Sequence, residues 1–532
     1  MNDEDLPTPA LSAAATDPTR GSSAHADVAS IGAQVDQAAA RERLLKAGAK
    51  GVVPHPTVEE RARRGKLARA NTPRQELAQW QATPGRADPV ALLMGQETSR
   101  VQELVPVRHA RMATSAFAFY RGSAIIMASD LATTSWSGLD AQLCGDAHLA
   151  NFGMFAAPDR SVVFDVNDFD ETNPGPFEWD VKRLTTSVVL AARDSGLSDK
   201  VARTCAESTA AQYRTAMLDF ATRREVDIWY ERIDSAGMQS VLQGAKKSSG
   251  KAQTKRIDRV QAAVDKSIAA ARSRTAWSAI AKITELVDGE RLFKNEPPLL
   301  TRLDVDPESR AVVKALFREY RSTLQDDRKE LLKRYEIIDI GHKVVGVGSV
   351  GLLALVLLMR GRDEDDLMVL QVKQAQASVL EPYTHKSAFS KHGHRVVTGQ
   401  RLMQAASDSF LGWIDGPGGR SFYVRQLRDM KWSPDLTSIN SEGLMSYGRL
   451  CGHTLARAHA RSGDSVALAA YMGASSAFGK AITDFSMSYA DQVAEDFAAF
   501  NAAIASGRMS AHESESLADE AATAALLAPQ VD

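Results

Sequence analysis

The stretch Cys144-Gly145-Asp146-Ala147-His148-Leu149-Ala150-Asn151-Phe152-Gly153 constrains this chain more than any other part. Phe164-Asp165-Val166-Asn167-Asp168-Phe169-Asp170-Glu171 follows it. An Asp, an Asn five positions later and a strand ending in Asp-Phe-Asp supply a particular set of oxygens. Mg²⁺ is a hard cation that takes carboxylate and amide oxygens at short range. In phosphoryl transfer one Asp orients or deprotonates the acceptor, while an Asn and a second Asp hold Mg²⁺ against the nucleotide phosphates. Asp146 suits the first role, and Asn151 and Asp168 the second. The alternative is that Asp146 and Asn151 only cap a turn, which both residue types favour. The strand-end Asp168 close by weighs against it.

Composition limits the other classes. The chain has 532 residues, enough for two or three domains, and its formal charge of −2 gives no electrostatic reason to expect nucleic acid or a membrane surface. Cys144, Cys205 and Cys451 are far apart and form no CxxC pair, so neither a zinc site nor a disulfide framework is indicated. The acidic start Met1-Asn2-Asp3-Glu4-Asp5 carries no apolar signal segment. The longest apolar run, Leu352 to Met359, falls well short of the ~20 residues a membrane span needs. These features predict a cytoplasmic protein.

Residues 1–55 are rich in Ala, Ser, Asp, Thr, Pro and Gly without an aromatic residue, and predict disorder. Structure is expected to begin near Thr57-Val58-Glu59-Glu60. Phe117 to Gly122 has strand-like aromatic content. Val181, Leu184, Val188 and Ala191 have helical spacing and predict a helix over about 178–193, with another opening at Ser198-Asp199. Residues 244–256 read as a basic loop, and helices are then expected to about Arg334. From Tyr335 the character changes: Glu336 to Ile340, Lys343 to Val347, Leu352 to Met359, Leu367 to Val372 and Ser421 to Leu427 read as strands of a small antiparallel sheet. Helices follow over about 443–461 and 478–505. The expected organisation is a helical lobe over 56–334, a β-rich nucleotide lobe over 335–435, helices returning to the first lobe over 436–508 and a flexible tail over 509–532.

Gly346-Val347-Gly348-Ser349-Val350-Gly351 is a GxGxxG sequence between two apolar runs. Alone it is weak evidence, since a dinucleotide-binding fold uses the same spacing. In a kinase-like fold the glycines form a hairpin over the phosphates and a Lys follows on the third strand. Leu367 to Lys373 supplies that strand and that Lys, and Glu381 is the candidate ion-pair partner for Lys373. The order is reversed, because in ordinary kinases the Gly-rich loop and Lys precede the catalytic Asp. Gly463-Asp464 with Asp484-Phe485-Ser486 does not restore it: Asp464 has no Asn five residues on, and Asp484 sits in a helical repeat of Ile482, Phe485, Tyr489 and Val493. Circular permutation does, with Tyr447 to His459 as the helix that leads towards the catalytic loop.

These motifs, together with Val107 to Met112 and Phe119 to Gly122, resemble the bacterial family catalogued as domain of unknown function 2252, over roughly residues 60 to 505. The resemblance implies a relation to protein kinases and to aminoglycoside and choline phosphotransferases. It implies an α+β, two-lobed, circularly permuted kinase-like fold that uses ATP and Mg²⁺ on an unidentified small-molecule or protein acceptor. Cys144 stands where the aminoglycoside-type pattern has His. On this reading Asp146 is catalytic, Asn151 and Asp168 hold the metal, and Gly346, Gly348, Ser349, Gly351, Lys373 and Glu381 bind the nucleotide. A nucleotidyl transferase, a nucleotide-binding regulator with little turnover and, on the glycines alone, an NAD-type oxidoreductase are the rival classes. Asp180 is expected to buttress the loop, His148, His453 and His459 to be structural, and Arg108, Arg111 and Arg121 either to bind an anion or to pair with local acids.

Overall fold

The computed structural model describes residues 55–235, 251–274, 276–297, 299–343, 350–427 and 430–512. The expected N-terminal tail, residues 244–250 of the basic loop, Val344 to Ser349 and the end of the C-terminal tail lie outside them. From Val58 on, the described residues belong to one compact unit. Helices dominate, with small antiparallel sheets. No described helix is long and apolar enough to cross a membrane.

The largest core lies among helices Phe177–Asp194, Asp199–Phe220, Ser441–Ser462 and Ala477–Ala505. Phe177–Asp194 is buried almost all round, so it forms the centre of this half. Asn440 caps Ser441–Ser462 by accepting from the Gly443 amide at 2.8 Å. Gly448 and Gly452 face Thr209 on the neighbouring helix, where a Cβ would overlap the Thr209 hydroxyl and carbonyl oxygens. The two backbones meet closely only because both positions lack a side chain.

Two nested strand pairs carry the Asp-rich loops. Strand β1 (Asp140–Leu143) pairs with β4 (Asn173–Pro176), and β2 (Phe152–Ala156) pairs with β3 (Val162–Val166). The loop after β1 and the loop after β3 are therefore brought side by side. A short β5 (Ile233–Asp234) extends the β2–β3 pair.

The second half is a six-stranded antiparallel sheet. Its members are β8 (Leu300–Arg302), β9 (Glu336–Lys343), β10 (Ala354–Arg360), β11 (Leu367–Ala375), β12 (Gly412–Asp415) and β13 (Ser421–Gln426), in the order β12-β13-β11-β10-β9-β8. Lys373 on β11 is level with Tyr423 on β13, so both side chains share one face. Leu355, Leu357, Val372, Phe422 and Val424 occupy the other face and pack with Tyr320 of helix Pro307–Ser322.

Four expectations are corrected. Phe117 to Gly122 is helical (Ala116–Gly122): Ser115 caps it, and Phe117, Phe119 and Tyr120 are all buried, which an alternating strand would not achieve. Residues 251–256 belong to helix Lys251–Ser273 rather than a loop. The helical run to Arg334 is broken by a hairpin of β6 (Thr284–Val287) and β7 (Glu290–Phe293), turned by Asp288 and Gly289 at φ 52° and 86°. The sheet half begins near Leu300 rather than 335, because β8 pairs with β9 and Tyr320, Leu324 and Leu332 join the sheet's core.

Candidate functional site

The two nested loops and the sheet border a cleft of about 520 Å³. Asp146, Asn151, Asp168 and Asp170 line it from the helical half, and Gln374 and Ser421 from the sheet. Lys373 reaches across from β11: its Nζ is 2.7 Å from Asp170 Oδ2 and 3.8 Å from Asp168 Oδ1. Tyr423 OH donates to the other Asp170 oxygen at 2.7 Å. Burial pulls the Lys373 ammonium towards neutrality, but Asp168 and Asp170 reverse this and hold it above the usual lysine value.

The Asp146 loop is held from behind. The Asp180 carboxylate accepts from the Cys144 and Gly145 amides at 2.8 and 3.1 Å, which is the buttress expected of it. Its Oδ2 also lies 3.3 Å from His459 Nε2, and Tyr213 OH is 2.8 Å from His459 Nδ1. Helix Ser441–Ser462 thus braces the loop, and Tyr447 OH adds bonds to the Leu149 and Phe152 carbonyls at 3.2 and 2.9 Å. Gly145 has φ +83°, and a Cβ there would overlap the Glu171 carbonyl oxygen. Asn151 Nδ2 donates to the Asp146 carbonyl at 2.7 Å, which closes the loop and turns its amide oxygen away from that bond.

The Asp146 carboxylate is held by Arg183, whose Nε and Nη2 lie 2.8 and 2.7 Å from Oδ1. Burial pulls the Arg183 guanidinium down, and Asp146 more than offsets this. His148 Nε2 is 3.6 Å from the second Asp146 oxygen, and its ring stands edge-on to Phe117. Burial lowers the imidazole to about 4, so it is neutral and serves packing, as expected. Asp165 is buried against Arg457 and accepts from the Ala405 amide, a structural role. Asp170, in contrast, lines the cleft.

Glu381 is not the partner of Lys373. Its Oε1 lies 3.9 Å from Arg395 Nε, because residues 376–383 turn away from β11 towards helix His392–Met403. Asp170 takes the place the sequence reading gave to Glu381. Gly346, Gly348 and Ser349 lie outside the described residues. Gly351 is described: it has φ +88°, and its carbonyl accepts from the Val101 amide at 2.8 Å. Arg100, Arg183 and Tyr423 escaped the sequence reading. No local sequence signal marks them: Tyr423 joins the site through its register with Lys373, which only the paired strands set.

Over residues 100–503 the chain matches the family described as an uncharacterized protein conserved in bacteria, DUF2252. It belongs to that family. No curated protein and no solved structure matches it.

Proposed function

We propose that the protein is a kinase-like phosphotransferase that uses Mg-ATP, with its catalytic and nucleotide halves in reversed chain order. One observation carries this reading: Lys373 pairs with Asp168 and Asp170, two acids that line the same cleft as Asp146 and Asn151. A Lys for phosphate oxygens and an acid for their metal must share one nucleotide. The packing of helix Ser441–Ser462 against Leu149, Phe152 and Asp180 supports the permutation, since a helix that follows the loop in sequence lies beside it, as the helix leading into a kinase catalytic loop would.

The donor set suits Mg²⁺. Among the described residues no group of three His, Cys, Asp or Glu side chains forms a metal cage. Mg²⁺ does not require one, because it keeps waters and phosphate oxygens and takes one or two protein carboxylates. Asp168 has a third of its side chain exposed (33%) and borders the cleft, and Asn151 has its amide oxygen to offer. Bound there, Mg²⁺ would neutralise charge on the phosphoryl group. Lys373 would hold phosphate oxygens in exchange for its contact with Asp170. Asp146 would accept the acceptor's proton, with Arg183 fixing its orientation.

A second reading, a nucleotide-binding regulator with little turnover, draws on the same Arg183. Arg183 engages Asp146 Oδ1 through both Nε and Nη2, which leaves that oxygen closed to an acceptor hydroxyl. The deciding experiment is a thermal melt with ATP, with and without Mg²⁺, and with NAD as control. Stabilisation by ATP and Mg²⁺ together is expected. Stabilisation by NAD alone would overturn the proposal.

A further inference from the structure

Arg100, Arg108 and Arg121 all line the cleft, but their surroundings differ. Arg108 is fully buried, pairs with Glu97 and donates to the Gly122 carbonyl. It is part of the scaffold. Arg100 donates to the Val350 carbonyl at 2.6 Å and packs against Gly351, so it belongs with the glycine segment.

Arg121 is different. Its guanidinium stands 6.0 Å over the Phe117 ring; its buried Nε, like those of Arg100 and Arg108, has no hydrogen-bond partner among the described residues, but it lacks the carbonyl and carboxylate contacts that hold those two. Burial pulls it below the ordinary arginine value, and Asp146 is the counter-charge that opposes this. A buried cationic donor left unsatisfied is costly, and an anion entering the cleft would relieve that cost through charge-assisted hydrogen bonds.

The cleft is also polarised. Lys373 pairs with Asp168 and Asp170, while Asp146 pairs with Arg183 and is the counter-charge of Arg121. Asp146 is the residue placed to take the acceptor's proton, so its neighbours meet the acceptor and not the nucleotide. We propose that Arg121 binds a negatively charged group, a carboxylate or a phosphate, carried by the acceptor. The word acceptor rests on the phosphotransferase reading; the anion site itself does not.

The test titrates inorganic phosphate and malonate into the full chain and into R121Q, with and without Mg²⁺ and a non-hydrolysable ATP analogue. At least one anion should bind the wild type, and the better of the two tells phosphate from carboxylate. R121Q should weaken that binding ~10-fold or more. The ATP analogue should not displace the anion. Failure of both anions to bind, unchanged affinity in R121Q, or displacement by the analogue would each overturn the proposal. If the analogue does not bind but Arg121-dependent anion binding persists, the phosphotransferase reading falls and the anion site stands. If R121Q does not fold, hydrogen exchange in wild-type residues 116–122 decides: slowing on addition of the anion supports the site, and no slowing overturns it.

Discussion

Lys373 Nζ lies 2.7 Å from Asp170 Oδ2, although 203 positions separate the two residues. The contact joins the β11 strand of the sheet to the loop after β3 in the helical half. It is buried on the lysine side, where the side chain is 3% exposed, and open on the acid side, at 20%. On the phosphotransferase proposal, this cation would exchange one carboxylate for phosphate oxygens.

Replacing Lys373 with Met should therefore act twice. It leaves Asp168 and Asp170 without their shared cation, which should cost roughly 3 kcal/mol of stability in urea unfolding. It should also abolish the rise in melting temperature with Mg-ATP. Retention of that rise in a folded K373M protein would remove Lys373 from the nucleotide site.

Two acids should separate binding from chemistry. Asp168→Ala should weaken Mg²⁺-nucleotide binding in calorimetry by ~10-fold or more. Asp146→Asn should leave that binding nearly intact and lower transfer or hydrolysis by ~10²-fold or more. A fully active D146N enzyme would exclude Asp146 as the base.

Asp180→Ala should destabilise the protein without touching ligand. The buried amides of Cys144 and Gly145 lose their acceptor, at roughly 1–3 kcal/mol each. The expected sign in urea unfolding is a lower midpoint with little change in slope. A change below ~1 kcal/mol would show that the loop does not depend on this buttress.

His148 gives a pH signature. Its folded imidazole is depressed to about 4 from a usual 6.5, because burial disfavours the charged form. The unfolded chain takes up this proton first as pH falls. The stability is thus complete above about 6.5 and is lost as pH falls through the range down to about 4. The loss attributable to His148 is roughly 3 kcal/mol. A His148→Gln variant should show a correspondingly flatter stability profile over that range. Parallel profiles for the two proteins would mean that the ring is not buried neutral.

The sequence by itself carried the candidate site residues and the local periodicity. Asp146, Asn151 and Asp168 stand out because their residue types and spacing are unusual in a short stretch. Phe177–Asp194, Ser441–Ser462 and Ala477–Ala505 were legible because a helix buries residues at a fixed local period. The family, too, could be read from those motifs. Local signals failed where tertiary burial overrode propensity. The aromatic run Phe117 to Tyr120 is helical because the surrounding core covers it from both sides.

Only the tertiary structure decided which charges meet. Lys373 has two candidate acids within a short chain distance or across the molecule, and spacing favoured the near one, Glu381. The fold turns Glu381 to Arg395 and brings Asp170 to Lys373. It likewise separates Arg108, paired with Glu97, from Arg121, whose counter-charge is Asp146. The reason is that charge pairing depends on distance and burial in space. Both are set by strand register and helix packing between segments far apart in the chain, and residue spacing along the sequence contains neither.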